Sequence, residues 1–153
     1  MNDYRPVYLD SSALVKLLAP ETESAALRDW LREWTDQFTS VLTRVEVVRA
    51  LRRTRMPTSA FSRAEAMLES VDLIHLDGGL LELAAKLKDP VLRSLDAIHL
   101  ACALSIGDVP DAFVTYDARR ASAARRLKIT VVAPGTQTMS SAFSSQVTVR
   151  PSR

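Results

Sequence analysis

The stretch RPVYLDSSALVKLLAP, Arg5 to Pro20, changes its period halfway along. Val7, Tyr8 and Leu9 are residues that suit a pleated strand. From Leu14 onward the apolar residues Leu14, Val15, Leu17 and Leu18 recur at helical spacing. Between the two stands Asp10, followed by Ser11 and Ser12, which offer a helix N-cap. A strand that ends on an acid and turns at once into a helix is one βα unit, and the fold depends on whether that unit repeats.

It does. Glu21 to Trp34 has helical periodicity, and QFTSVLT (37–43) reads as a second strand. Two helical stretches follow, Arg44 to Arg55 and Ser59 to Ser70, with Pro57 between them. VDLIHL (71–76) is a third strand, followed by a helix over Gly79 to Lys88. RSLDAIHLACAL (93–104) is helical, with Ser94 as its N-cap and Leu95, Ile98 and Cys102 as the face expected to pack on the sheet. DAFVTYD (111–117) and ITVVAP (129–134) are the fourth and fifth strands, joined by a helix over Asp117 to Leu127. Strands alternating with helices predict an α/β domain with a largely parallel, helix-covered sheet. The domain is expected over residues 1–134, with a Ser/Thr-rich tail, mobile, over 135–153. The helical stretch between the second and third strands is longer than one crossover needs, which predicts a projecting helical hairpin usable for docking.

Composition limits what such a domain does. The chain has 153 residues, 47% hydrophobic and 25% charged, as expected of one soluble globular domain. It lacks a membrane-length apolar run and the n- and h-regions of a secretory signal. Its single cysteine, Cys102, leaves no intrachain disulfide and fits a reducing, cytoplasmic setting. Only four glycines are present, and neither a dinucleotide fingerprint nor a P-loop occurs. Zinc-spaced Cys/His clusters and a G-x-S-x-G elbow are also missing. The net charge of +2 is unevenly spread: beyond Asp117 there are seven basic residues and no acid. That asymmetry suits a polyanion or an acidic partner, and equally a solvated basic helix face.

Four acids stand where ligands bind in parallel sheets, outside the carboxyl ends of the strands. Asp10 ends the first strand and Asp117 the fourth. Glu46 opens the helix after the second strand, and Asp96 lies in the first turn of the helix leading to the fourth. Each has a plain alternative as a cap, a first-turn acid or, for Glu46, a partner of Arg49. Converging carboxylates repel one another unless a cation joins them, and hard oxygen ligands select Mg2+ or Mn2+. Such a centre suits phosphodiester hydrolysis. Arg49 and Arg53 share a helix face with Glu46, and Arg119 and Arg120 follow Asp117, all suited to a polyanionic substrate. His99, one turn after Asp96, is either structural or turned to the substrate.

Taken in order, VYLDSSALVKLL, TSVLTRVEVVRALRR, RSLDAIHLACAL and FVTYDARRASAARRLKITVVAP resemble the signature segments of PIN-domain proteins, above all the VapC toxins of bacterial VapBC toxin–antitoxin pairs. The resemblance runs nearly to Pro134. It implies a three-layer α/β/α sandwich around a central, mainly parallel five-stranded sheet. It implies a Mg2+- or Mn2+-dependent endoribonuclease that cuts RNA such as tRNA or rRNA, leaving a 5′-phosphate and a 3′-hydroxyl. Asp10, Glu46, Asp96 and Asp117 match the acidic quartet as catalytic residues and metal ligands. Ser11 matches the hydroxyl residue after the first acid, and Thr115 the Thr of the T-x-D segment. The resemblance also implies a homodimer and a cognate VapB-type antitoxin, with no membrane partner. Lys128 departs from it, standing where a glycine is frequent.

Two other functions fit less of the chain. A haloacid-dehalogenase-like phosphatase expects a second Asp two residues after the first, where Ser12 stands. A non-catalytic PIN-like module binding RNA or protein has no need of four mutually repelling acids.

Overall fold

In the computed structural model, residues 4–107 and 110–136 are described. Strand β1 (Pro6–Leu9) leads through Asp10 into α1 (Ser11–Leu18), followed by α2 (Ser24–Leu31). β2 (Asp36–Ser40), α3 (Thr43–Arg53) and α4 (Thr58–Ser70) come next, then β3 (Asp72–Ile74) and α5 (Gly78–Lys86). α6 (Ser94–Leu104), β4 (Ala112–Val114), α7 (Ala118–Arg126) and β5 (Val131–Val132) complete the order. The five strands form one sheet in the order β3-β2-β1-β4-β5, and every pairing is parallel.

The two-residue period of the strands sorts the core into two layers. Val7 and Leu9 of β1, with Ala112 and Val114 of β4, face one cluster built with α1 to α4. Tyr8 and Phe113 point the other way, into a cluster built with α5, α6 and α7. Their rings stack with centroids 5.2 Å apart. This is the three-layer α/β/α sandwich.

Several local expectations shift. The second helix is shorter than its apolar period: Ser24 accepts from the Glu21 amide and donates to Ala19 O, so a turn precedes it. The α3–α4 pair does not project freely. Val47, Leu51, Ala60, Ala64 and Leu68 join the α1 side of the core. In α6 the expected sheet-packing face holds at Cys102, which is buried, and at Ile98, which packs against the same cluster, but not at Leu95, which is 52% exposed. β1 ends at Leu9 and β4 at Val114, earlier than expected, and the Asp10 and Thr115 amides make the last inter-strand bonds, to Val114 O and Val132 O. Lys128 takes a left-handed backbone (φ 60°), the conformation glycine adopts most easily. Of the tail expected over 135–153, residues 137–153 lie outside the described part.

Candidate active site

The chain reverses direction across the sheet between β1 and β4. From β1 it runs to β2 and β3 on one side, then returns to β4 and β5 on the other. Such a switch point opens a crevice at the carboxyl ends of the strands. Asp10 leaves β1 into this crevice, and Thr115 to Asp117 leave β4 into it. A cleft of about 720 Å3 lies here, its walls including Ser11, Glu46, Arg49, Arg53, Tyr116 and Asp117.

Asp10 is fully buried. It caps α1, so the cap reading of this residue holds alongside any other: Oδ1 accepts from the Ala13 amide at 3.0 Å and from Ser12 Oγ at 2.6 Å. Oδ2 accepts from the Thr115 hydroxyl and from Arg120 Nη1 at 2.7 Å. Thr115 is thus placed on Asp10. Ser12 also accepts from the Tyr116 amide at 2.9 Å, tying the end of β4 to the start of α1. Ser11 turns the other way and donates to Glu46 Oε2 at 3.2 Å. The second serine, not the first, is therefore the one that holds Asp10.

Asp96, in the first turn of α6, is 1% exposed. Its Oδ1 accepts from Arg120 Nε at 3.0 Å and its Oδ2 from Arg119 Nε at 2.9 Å. Arg120 also stands 4.0 Å from Glu46 Oε2 through Nη2. One guanidinium therefore draws Asp10, Asp96 and Glu46 together. Burial works against its charge, but Asp10 and Asp96 more than offset this and push its pKa up. Asp117 joins the cleft wall without a direct bond to the other acids. It caps α7 by accepting from the Arg120 amide at 2.9 Å, and its own amide donates to Thr115 Oγ1 at 3.1 Å.

Glu46 is fixed from behind. Its Oε1 meets His99 Nε2 at 2.6 Å, and His99 Nδ1 meets the Tyr8 hydroxyl at 2.7 Å. Burial disfavours the Glu46 charge, but the His99 bond and charge, Arg120 and Ser11 together hold its carboxyl below the usual range. An ionised Glu46 only accepts, so Nε2 carries a proton toward it, and Nδ1 pairs with the Tyr8 hydroxyl. Burial raises the Tyr8 phenol well above its ordinary value, which keeps it a donor.

Of the two readings of His99, structural or turned to the substrate, its position suits the structural one: it is fully buried, and both ring nitrogens are taken. Arg119 is half exposed and bound to Asp96 rather than free. Arg49 and Arg53 are exposed on the cleft wall, one and two turns after Glu46, with no ion pair among the described residues.

Tyr8, and Ser12 as a holder of Asp10, are what the sequence reading left out, and Arg120, read there as a cation for the substrate, is instead buried among the acids. A signal for Arg120 exists in the pattern Arg120, Ala123, Ala124, Leu127, which places an arginine on the apolar stripe of α7. Nothing local in the sequence marks Tyr8, whose partner lies 91 positions away.

The donor chemistry fits a hard divalent cation, since Asp10, Glu46, Asp96 and Asp117 present only carboxylate oxygens. Among the described residues, however, no three His, Cys, Asp or Glu side chains form a ready metal-holding cluster. The guanidinium of Arg120 stands among them.

A parallel sheet in this order, with acids gathered at its switch point, defines the class. The PIN domain matches residues 7–127, and the chain belongs to the PIN-domain family. Within that family it is similar to the ribonuclease VapC35 of Mycobacterium tuberculosis, 44% identical over 133 residues that cover 84% of this chain and 97% of that one. It is also similar to ribonuclease VapC47 of the same species, 41% identical with the same coverage. Among solved structures, VapC20 of M. tuberculosis, a toxin cleaving the sarcin–ricin loop, superposes with a TM-score of 0.63 at 18% identity over 76% of this chain and 94% of that one. A toxin–antitoxin complex from Klebsiella pneumoniae gives 0.62 at 18% identity, covering 84% of this chain and 97% of that one.

Proposed function

We propose that this chain is a Mg2+- or Mn2+-dependent endoribonuclease, the toxin of a VapBC-type toxin–antitoxin pair. The observation that carries the reading is the gathering of Asp10, Glu46 and Asp96 around one cationic position, beside a cleft whose wall carries Arg49 and Arg53. The names of the relatives, ribonucleases VapC35 and VapC47, support it.

Asp10, Asp96, Glu46 and Asp117 would hold the cation, and a bound divalent ion supplies water activation and charge neutralisation at a phosphodiester. The chain's own groups do the rest. Thr115 and Ser12 hold Asp10 in one orientation through its two oxygens. Ser11 and His99 orient Glu46 from opposite oxygens. Arg49 and Arg53 bind the RNA backbone as exposed cations, and Arg119, half exposed beside Asp96, serves as a third phosphate contact once substrate draws it outward. The substrate class is tRNA or rRNA.

The likeness to a toxin–antitoxin complex supports a cognate VapB-type antitoxin as partner, with a homodimeric toxin as the binding unit and the cytoplasm as the place of action. No helix among the described residues is long and apolar enough to cross a membrane, and Cys102 is a buried free thiol.

The test is cleavage of total RNA by the purified chain in Mg2+ or Mn2+, with EDTA and Asp10→Asn as controls. Discrete cuts lost in both controls are expected. RNA left intact by the wild type in every divalent metal refutes the catalytic reading, and retained RNA binding in that case assigns a binding module.

A further inference from the structure

Asp10 has no free acceptor site. An ionised carboxylate offers about four lone-pair positions, and four donors reach it: the Ala13 amide, Ser12 Oγ, Thr115 Oγ1 and Arg120 Nη1. The first three belong to the backbone or to short side chains fixed by the α1 cap and the end of β4. Ser12 is held by the Tyr116 amide, and Thr115 by the Asp117 amide. Only Arg120 reaches Asp10 on a long side chain. The same guanidinium occupies Asp96 Oδ1 and lies 4.0 Å from Glu46.

Charge and space point the same way. A divalent ion and a guanidinium among the same carboxylate oxygens are two cations in close contact, and like charges this near repel. Moving Arg120 out removes that repulsion and frees one carboxylate oxygen on Asp10 and one on Asp96. A displaced guanidinium also has somewhere to go, because Arg120 itself borders the cleft, beside Glu46 and Asp117.

Resting on the metal-dependent reading above, we infer that Arg120 is a built-in competitor of the metal. Its guanidinium holds the position between Asp10 and Asp96 that the divalent ion takes. Metal entry requires it to swing out into the cleft, on the side where the RNA backbone would lie. The residue thereby sets the metal affinity and couples metal occupancy to the appearance of one more cation on the substrate side. In the metal-free form the Arg120 guanidinium supplies the counter-charge that holds these acids together.

The experiment titrates Mn2+ into the purified full chain and into Arg120→Met, by calorimetry and by the Mn2+ electron paramagnetic resonance signal. If the guanidinium is in place in at least nine molecules of ten, removing it tightens Mn2+ binding about tenfold or more. Equal or weaker binding by a folded Arg120→Met overturns the inference, because a purely structural arginine gives that result. Wild-type crystals grown with Mn2+ supply the second measurement, which stands even where Arg120→Met does not fold. The expected density shows Arg120 parted from Asp10, and a guanidinium still bridging Asp10 and Asp96 beside a bound ion overturns the inference. RNA cleavage by the wild type separates the two readings. Mn2+-dependent cleavage with unchanged affinity in Arg120→Met overturns the competitor role alone, and loss of both cleavage and Mn2+ binding in the wild type overturns both.

Discussion

Tyr8→Phe removes one oxygen and nothing else from the wall behind Glu46. The Tyr8 ring keeps its stacking on Phe113, at 5.2 Å between centroids and 8° between planes. What disappears is the 2.7 Å bond to His99 Nδ1, between two fully buried groups. An orphaned buried polar atom costs about 1–3 kcal/mol. The lost hydroxyl no longer has to be desolvated, which favours the lower half of that range, about 1.5 kcal/mol. For a domain of this size that lowers Tm by roughly 3–6 °C. The decisive assay is urea unfolding, followed by circular dichroism, of wild type, Tyr8→Phe, His99→Leu and the double variant. Removing both partners of a buried bond is nearly neutral relative to removing one. Tyr8→Phe is therefore expected to cost about 1 kcal/mol less in the His99→Leu background than in the wild type. Equal costs in both backgrounds refute the relay. Because His99 orients Glu46, cleavage by Tyr8→Phe is expected to fall about tenfold, as for other partners one step removed from a site.

Asp10→Asn abolishes cleavage and leaves Arg120 without its shortest charged partner, at a stability cost of about 3 kcal/mol measured by urea unfolding; a change below about 1 kcal/mol contradicts the buried pair. Glu46 has a lowered pKa, so its ionised form stabilises the fold fully above its ordinary value of 4.5, and that contribution is lost as pH falls below it. Thermal melts between about pH 5 and pH 3 should therefore show a steeper loss in wild type than in Glu46→Gln; parallel curves contradict the assignment. Arg49→Ala and Arg53→Ala each reduce the slope of log affinity for single-stranded RNA against log salt by about 0.7, read by filter binding, with no change in Tm. Asp117→Ala removes the α7 cap and costs about 1 kcal/mol, and an unchanged stability refutes the cap.

The fold was legible because its signals are local and repeated. Each strand is a short run of β-formers, and each acid or proline that ends a run also starts or stops the next helix. What eluded the sequence was which face of a helix turns inward. In α6, Leu95, Ile98 and Cys102 have good helical spacing, yet Leu95 faces solvent. Nearly every position from Ala97 to Ala103 is buried, so apolar period carries little information there. The true constraint on α6 is polar: Asp96 meets Arg120 and His99 meets Tyr8 and Glu46, and these fix its rotation against the sheet.

The four acids were legible for a related reason. Position just past a strand (Asp10, Asp117) or in the first turn of a helix (Glu46, Asp96) is a one-dimensional property, and the parallel topology converts it into proximity. Their partners were not, because a partner is defined across the fold. Arg120 lies 110 positions from Asp10 and 24 from Asp96, inside a run of arginines whose obvious reading is a solvated face. Its neighbour Arg119 is solvated in part, at 47% side-chain exposure against 7% for Arg120. Adjacent positions on a helix point about 100° apart, so one arginine of the pair rims the cleft and the other enters the core. The stripe of Ala123, Ala124 and Leu127 decides which. A charge on an apolar stripe implies a buried counter-charge, and here the counter-charge is the acid cluster itself. The arginine that sequence reasoning offered to a polyanionic substrate is thus the one that makes two buried carboxylates, Asp10 and Asp96, tolerable.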